Sequence, residues 1–398
     1  MRKFLFVISI LLVVLALGGP WLIGQQIEKT TLGSEQDLAT SLPPWAELVD
    51  VEFKRGWFGS ASRYHIVLTE DAPPAVRQLI GNFAGFGDQP ALIVNNGIQH
   101  GPLIGLFTPA AAEINSDFAV DNGNGEVTTL PLLTQTRIGL TGALGLNWKM
   151  GGLSLKQPEG GVTAGESSGK LKVSSDQRRI ALELIADALT ISRRGQTVLS
   201  LESVVSENTL EIGSTETTLD STYRYDDTFD TLARRAISGD IGVRGIASEA
   251  LPGALALLGK IQSDKPNNTE LQALLQASLP TLVGLLAETP VVEWRQQLDQ
   301  SAGETFSDVK LTLAPQSGPM NYQSYVEQLI ADMLVTVDFS APIELVESGT
   351  SRNALLTNAL AMGMLEKDKD AGLYRMDLDY ENGEATVNGL PLPLGMQR

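Results

Sequence analysis

The sequence predicts an α+β, β-rich fold: an extended antiparallel β-sheet body, several amphipathic helices in the C-terminal half, and one N-terminal transmembrane helix ahead of both. Three observations carry this expectation. Short segments of alternating apolar and polar residues, punctuated by Gly, Asn, Asp and Pro, run from about Glu47 to Val243. Leucines at helical spacing follow only after that stretch. An uncharged run of 21 residues, Phe4 to Gly24, has no rival of its length elsewhere.

The elements follow in chain order. A helix over that run would span about 31 Å, the thickness of a bilayer core. Its small-residue exit, Ala16-Leu17-Gly18, would place cleavage before Gly19-Pro20, and the apolar text continues to Ile23, so an uncleaved signal anchor is expected. Arg2 and Lys3 precede the run, which puts the N-terminus in the cytoplasm and everything from Gln25 onward outside. The expected organisation is a cytoplasmic tip and anchor at 1–24, a linker helix at 25–45, a β-rich body at 46–246, and a mixed α/β second lobe at 247–398 continuous with it.

Within the body, strands are expected at Glu47 to Phe53, Ser62 to Thr69, Gly125 to Leu130, Gly169 to Ser174, Gln177 to Ile185, Asp187 to Arg193, Thr197 to Val205, Asn208 to Gly213 and Thr217 to Tyr225. Alternation is cleanest where Ile180, Leu182 and Leu184 oppose Arg179, Ala181 and Glu183, as a sheet with one wet face requires. No connection is long enough for the crossover helices of a parallel sheet, so antiparallel meanders are expected. Helices are expected at Glu249 to Ile261, at Glu270 to Ala287 with a kink at Pro280, at Asn321 to Leu334, and at Arg352 to Glu366. The third carries one stripe of Tyr322, Tyr325, Val326, Leu329, Ile330 and Met333. Strands Val291 to Gln297, Ser307 to Ala314, Val335 to Phe339, Leu373 to Tyr380 and Ala385 to Asn388 lie among them, the last two joined through Asn382-Gly383.

Composition narrows the chemistry. Twenty-nine Lys and Arg against 47 Asp and Glu give a net charge of −18, which repels nucleic-acid phosphates and anionic headgroups alike. With no cysteine, thiol nucleophiles, disulfides and thiolate metal sites are excluded, and two histidines leave little imidazole chemistry.

Several short motifs share an order. Trp21-x-x-Gly24-x-x-Ile27-Glu28, Lys54-Arg55-Gly56-Trp57-Phe58-Gly59-Ser60 and Gln99-His100-Gly101-Pro102 are followed by Leu279-Pro280, Pro290-Val291 and Gly303-Glu304. The series closes on Tyr380-Glu381-Asn382-Gly383 and Asn388-Gly389. Together they resemble the YdgA-like family of uncharacterised bacterial inner-membrane and periplasmic proteins (domain of unknown function 945), in that family's order along the whole chain. The chain is shorter than members usually are, and the difference is assigned to the middle β region. The resemblance implies a signal-anchored periplasmic protein of Gram-negative bacteria. Its β-rich body invites comparison, by fold-level analogy, with elongated AsmA-type envelope proteins that carry lipid.

The chemical motifs have plainer readings. Gly165-Glu166-Ser167-Ser168-Gly169 matches the nucleophile elbow pattern, yet a strand follows it where an elbow needs a helix, and both histidines lie upstream. His65 reads as a half-buried strand residue. His100 reads as a ring hydrogen-bonding backbone across a Gly-Pro turn. Asp377 with Asp379, and Asp368 with Asp370, could meet a divalent cation, but a solvated acidic face is the simpler expectation. No catalytic, cofactor or metal residue is therefore assigned and no cofactor is expected. The motif positions kept are Gly56, Trp57, Phe58, His100, Gly101, Pro102, Asn382, Gly383, Asn388 and Gly389. The expected function is a non-enzymatic, single-pass protein of the bacterial inner membrane with its bulk in the periplasm. It would bind lipid or an envelope protein through an apolar sheet face; the alternatives are a hydrolase using Ser167 and a purely structural tether.

Overall fold

A computed structural model describes residues 42–72, 77, 90–101, 104, 110–157, 160–229, 235–264, 267–315, 321–349 and 354–392. The expected anchor, and the linker helix up to residue 41, lie outside them; residues 42–45 form a bend and turn. Among the described residues no helix is long and apolar enough to cross a membrane. The chain divides into two units, Met1–Val198 and Leu199–Arg398. Among the described residues, every helix with described bounds begins after Ala247, in the second unit.

Unit one is an antiparallel meander: β1 (Ala46–Arg55), β2 (Gly59–Leu68), β3 (Ala91–His100), β4 (Ala112–Asp121), β5 (Val127–Ile138), β6 (Leu144–Met150), β7 (Leu153–Gln157), β8 (Gly160–Ala164), β9 (Ser167–Val173) and β10 (Arg179–Arg193). Each of the first five pairs with its successor. β6 then pairs with β9 and β7 with β8, while β8 and β9 both pair with β10. β6–β7 and β8–β9 are thus two long strands, each interrupted once. The expected strands at Gln177 to Ile185 and Asp187 to Arg193 merge into β10.

The interruption changes the pleat. Gly165 N–H donates to the Ala188 carbonyl and Asp187 N–H donates to the Glu166 carbonyl, at 2.8 and 2.9 Å. Two successive residues thereby turn their polar groups to the same neighbour, which an unbroken pleat never does. Without this phase change Leu189 and Ile191 would leave the face that carries Leu182 and Leu184. With it, the apolar side chains stay together although their sequence parity shifts.

Unit two continues with β11 (Gln196–Ile212), β12 (Glu216–Phe229), β13 (Arg235–Ala247), β14 (Val291–Gln300), β15 (Gly303–Thr312), β16 (Leu334–Pro342), β17 (Glu366–Asp368), β18 (Leu373–Glu381), β19 (Glu384–Val387) and β20 (Leu390–Leu392). All pairings are antiparallel, and β18 lies beside β16 on one edge and beside β17 and β19 on the other. β11 carries a bulge after Glu202, where Ser203 takes φ 52°.

The helices are α1 (Leu251–Asp264), α2 (Asn268–Ala277), α3 (Leu279–Leu285), α4 (Tyr322–Asp332), α5 (Ile343–Gly349) and α6 (Ala354–Ala361). The expected kinked helix at 270–287 is instead two helices. Ser278 ends α2 and Pro280 sits in the first turn of α3, where its missing N–H costs no hydrogen bond. The helix expected to Glu366 stops at Ala361, because Glu366 already belongs to β17.

α4 opens on Asn321, whose side chain accepts from Ser324 N–H at 2.9 Å. Its stripe packs as expected for Tyr322, Tyr325, Val326 and Leu329, which join Leu279, Leu282, Val283, Leu286 and Leu313. Ile330 departs from the expectation and is 38% exposed. A second cluster under α5 holds Ala341, Val346, Leu365 and Tyr374.

Candidate functional site

The face marked by Ile180, Leu182 and Leu184 becomes a ladder once register is known. Its first rung is Ile138, Leu144, Val173 and Ile180, and the second is Thr136, Leu146, Leu171 and Leu182. The third is Thr134, Trp148, Gly169 and Leu184, and the fourth is Leu132, Met150, Ser167 and Ala186. The opposite face is wet: Lys170 Nζ meets Glu183 Oε2 at 3.2 Å, and Lys149, Lys172 and Asn147 lie exposed beside them. Of the sixteen ladder residues only Gly169 is buried, and Leu182 keeps 37% of its surface. A sheet face of this composition is ordinarily covered by a second layer.

Trp148 organises the ladder's centre. Its indole lies across the neighbouring strand at Gly169; a Cβ there would stand 2.5 Å from ring atom Cε2 and closer still to Cζ2 and Cη2. Unit two repeats the device. Tyr223 covers Gly239 of the adjacent strand and accepts a 3.0 Å hydrogen bond from Trp294 Nε1–H. Such aromatic covers on strand glycines stiffen a sheet and leave a broad apolar ring at the surface.

Chemistry at the flanks is structural. Ser167 opens β9, between strands on both sides, so the strand-to-helix elbow is absent. His65 is half-buried in β2, while His100 is 3% exposed at the end of β3. The ring contact is to a side chain, His100 Nε2 standing 3.0 Å from Ser60 Oγ, where a backbone partner was expected. Glu113 accepts from Arg137 Nη2 at 2.7 Å and from Gln135 Nε2 at 3.0 Å. Those bonds, Arg137's foremost, hold its carboxyl below the ordinary value against the opposing effect of burial. Asp377 and Asp379 are exposed on β18, and Asp368 accepts from Ala371 N–H to close its turn. Among the described residues no three acidic or imidazole groups converge to hold a metal ion.

The motif residues are turn-formers. Gly56 N–H donates to the Gly59 carbonyl at 2.8 Å, closing the β1–β2 turn, and His100 N–H donates to the Phe58 carbonyl at 3.0 Å. Gly56, Trp57, Phe58, His100 and Gly101 therefore gather at one end of unit one; Pro102 lies outside the described residues. In unit two Asn382-Gly383 and Asn388-Gly389 have φ of 53°, 81°, 50° and 74°, the positive pairs of two-residue hairpin turns. Asn388 also accepts from Asp377 N–H at 2.9 Å and donates to the Met364 carbonyl at 3.1 Å. Sequence reasoning missed Trp148 and Gly169. Their signal, an aromatic and a glycine on strands soon to be neighbours, needs the register to be recognised.

Residues 1–230 match the bacterial family described as "Bacterial protein of unknown function (DUF945)". The chain belongs to the DUF945 family. The match takes in all of unit one and reaches through β12, so the ladder and the Gly56-Trp57-Phe58 turn both fall within the DUF945 region. No curated protein matches the sequence.

Proposed function

We propose that this DUF945 chain is a non-enzymatic, membrane-anchored protein of the bacterial envelope that holds the acyl part of a lipid on the ladder face of unit one. The half-exposed four-strand ladder carries the reading. An acyl chain needs apolar contact and no hydrogen-bond partners, and the inner strands of a sheet have already satisfied their own backbone groups. The anchor follows from the uncharged run Phe4 to Gly24 with its two preceding cations, and the periplasmic placement follows from the same asymmetry. A serine hydrolase is not favoured, because Ser167 stands between two strands with no histidine on either.

The test is photo-crosslinking in cells with the full chain, placing a photoreactive residue at Leu182 and, as control, at Lys170 on the wet face. Lipid adducts at 182 and not at 170 are expected. Equal labelling at both, or protein adducts alone at 182, would refute acyl binding.

A further inference from the structure

The whole-chain charge argues against an acidic partner, but the charge is not evenly spread. A cross-strand row in direct register runs from Gly59 through Glu113 and Arg137 to Lys172 and Ala181. The turns at 56–58, 139–143 and 174–178 accordingly leave the unit-one sheet at one level and at one end. Six cations, Lys54, Arg55, Arg137, Lys172, Arg178 and Arg179, lie in or next to those turns. Three carboxylates accompany them, and two are engaged locally: Glu113 by Arg137, and Asp176 by Ser174 Oγ and Arg178 N–H. The third, Glu52, approaches Lys54 only to 3.9 Å. This inverts the balance of the chain, in which acids outnumber bases 47 to 29. At the sheet's other end the described connections carry both signs: Glu70, Asp71 and Glu126, and also Arg77, Arg193 and Arg194.

The same end exposes large apolar side chains at its tips: Trp57 at 54%, Phe58 at 56% and Leu140 at 56%. One exposed hydrophobe is ordinary. Two consecutive aromatics and a leucine at turn tips, where polar residues normally sit, are not. Aromatic rings with Lys and Arg beside them settle at the headgroup level of a bilayer.

We infer that this end of unit one is a docking surface for an anionic phospholipid bilayer, with Trp57, Phe58 and Leu140 entering the interface and Lys54, Lys172 and Arg178 facing headgroup phosphates. The inference rests on the anchored reading above, and the reach permits it. Residues 25–45 extend at most about 70 Å, and β1 is about 33 Å long, so a chain tethered at Gly24 can set this end on the surface. The opposite end then points away from the membrane.

The absence of native cysteine allows a direct test. Full-length Leu140→Cys and Asn124→Cys chains carry a polarity-sensitive fluorophore and are reconstituted in phosphatidylcholine vesicles with or without about a third phosphatidylglycerol. At position 140, on anionic vesicles, emission should rise at least twofold, with quenching by acyl-chain nitroxides and protection from iodide. Position 124 should remain aqueous. Adding Lys54→Glu with Arg178→Glu, or Trp57→Ser with Phe58→Ser, should return position 140 to its value on neutral vesicles.

A chain that floats with the vesicles while position 140 stays as open to iodide as position 124 overturns the docking and leaves the anchor standing. Protection from iodide without nitroxide quenching marks a protein contact, a second copy included, and overturns it equally. A chain that does not float at all removes the anchor and the docking together.

Discussion

Replacing Gly169 by alanine tests the seat of Trp148. The added Cβ would stand 2.5 Å from Cε2 of the indole and nearer to two further ring atoms, against an ordinary carbon contact of about 3.5–4 Å. The ring is rigid and must move as a body by roughly 1.5 Å or leave its rotamer, the kind of overpacking that costs about 1–3 kcal/mol. In a Trp148→Ala background the obstruction is gone. Alanine then only relieves the entropy cost of glycine in a strand, and the same substitution should stabilise by about 0.5–1 kcal/mol. The cycle therefore predicts a change of sign. Hydrogen exchange of the β6 and β9 amides in the detergent-solubilised full chain reads the opening energy locally, without requiring both units to unfold together. If Gly169→Ala shifts that energy equally in the two backgrounds, Trp148 does not lie on residue 169 and the account of the ladder's centre fails.

Two other outcomes follow from the packing and the charges. Leu329→Asp places a carboxylate in the cluster of Leu279, Leu286 and Tyr325 and should destabilise unit two by about 3 kcal/mol or more, while Gln328→Asp on the exposed side should stay within about 0.5 kcal/mol; equal shifts in thermal melts would mean that the α4 stripe is not packed in that cluster. Because Arg137 depresses the folded-state value of Glu113, the stability this carboxylate contributes is present above the ordinary 4.5 and is lost as pH falls through the lower folded value. The stability gap between wild type and Arg137→Met should be widest near about pH 7 and narrow toward about pH 3, and a constant gap would refute the linkage.

Local pattern made some of this fold readable. Ile180, Leu182 and Leu184 announced their face by alternation, Asn382-Gly383 announced a hairpin, and the α4 stripe announced a packed helix. β3 and β4 escaped because their centres, Asn95-Asn96-Gly97 and Asn115-Ser116-Asp117, are turn-forming residues. In the sheet they satisfy one another across strands: Asn95 Nδ2 donates to Asp117 Oδ2 at 2.9 Å and Asn96 Nδ2 to Ser62 Oγ at 3.0 Å. The expected break between Ile185 and Asp187 falls where the chain changes pleat phase and keeps its register. Alternation also cannot say whether an apolar face is covered. The cationic end was invisible for a different reason, since Lys54, Arg137 and Arg178 become neighbours only when the strands are aligned.

The meander has a bearing on how the sheet is acquired. In unit one each inner long strand pairs with the strand before it and the strand after it, so none of the described pairings waits for a distant part of the chain. Such a structure grows by accretion. A hairpin formed early offers its free edge to the next segment as that segment emerges, and the entropy of closing long loops is never incurred at once. Stability is then close to a sum over adjacent pairs, as in a stacked-repeat protein. Changes of length in such a sheet are absorbed two strands at a time, because removing one strand would reverse the direction of everything after it, while removing a hairpin leaves both flanking edges able to pair.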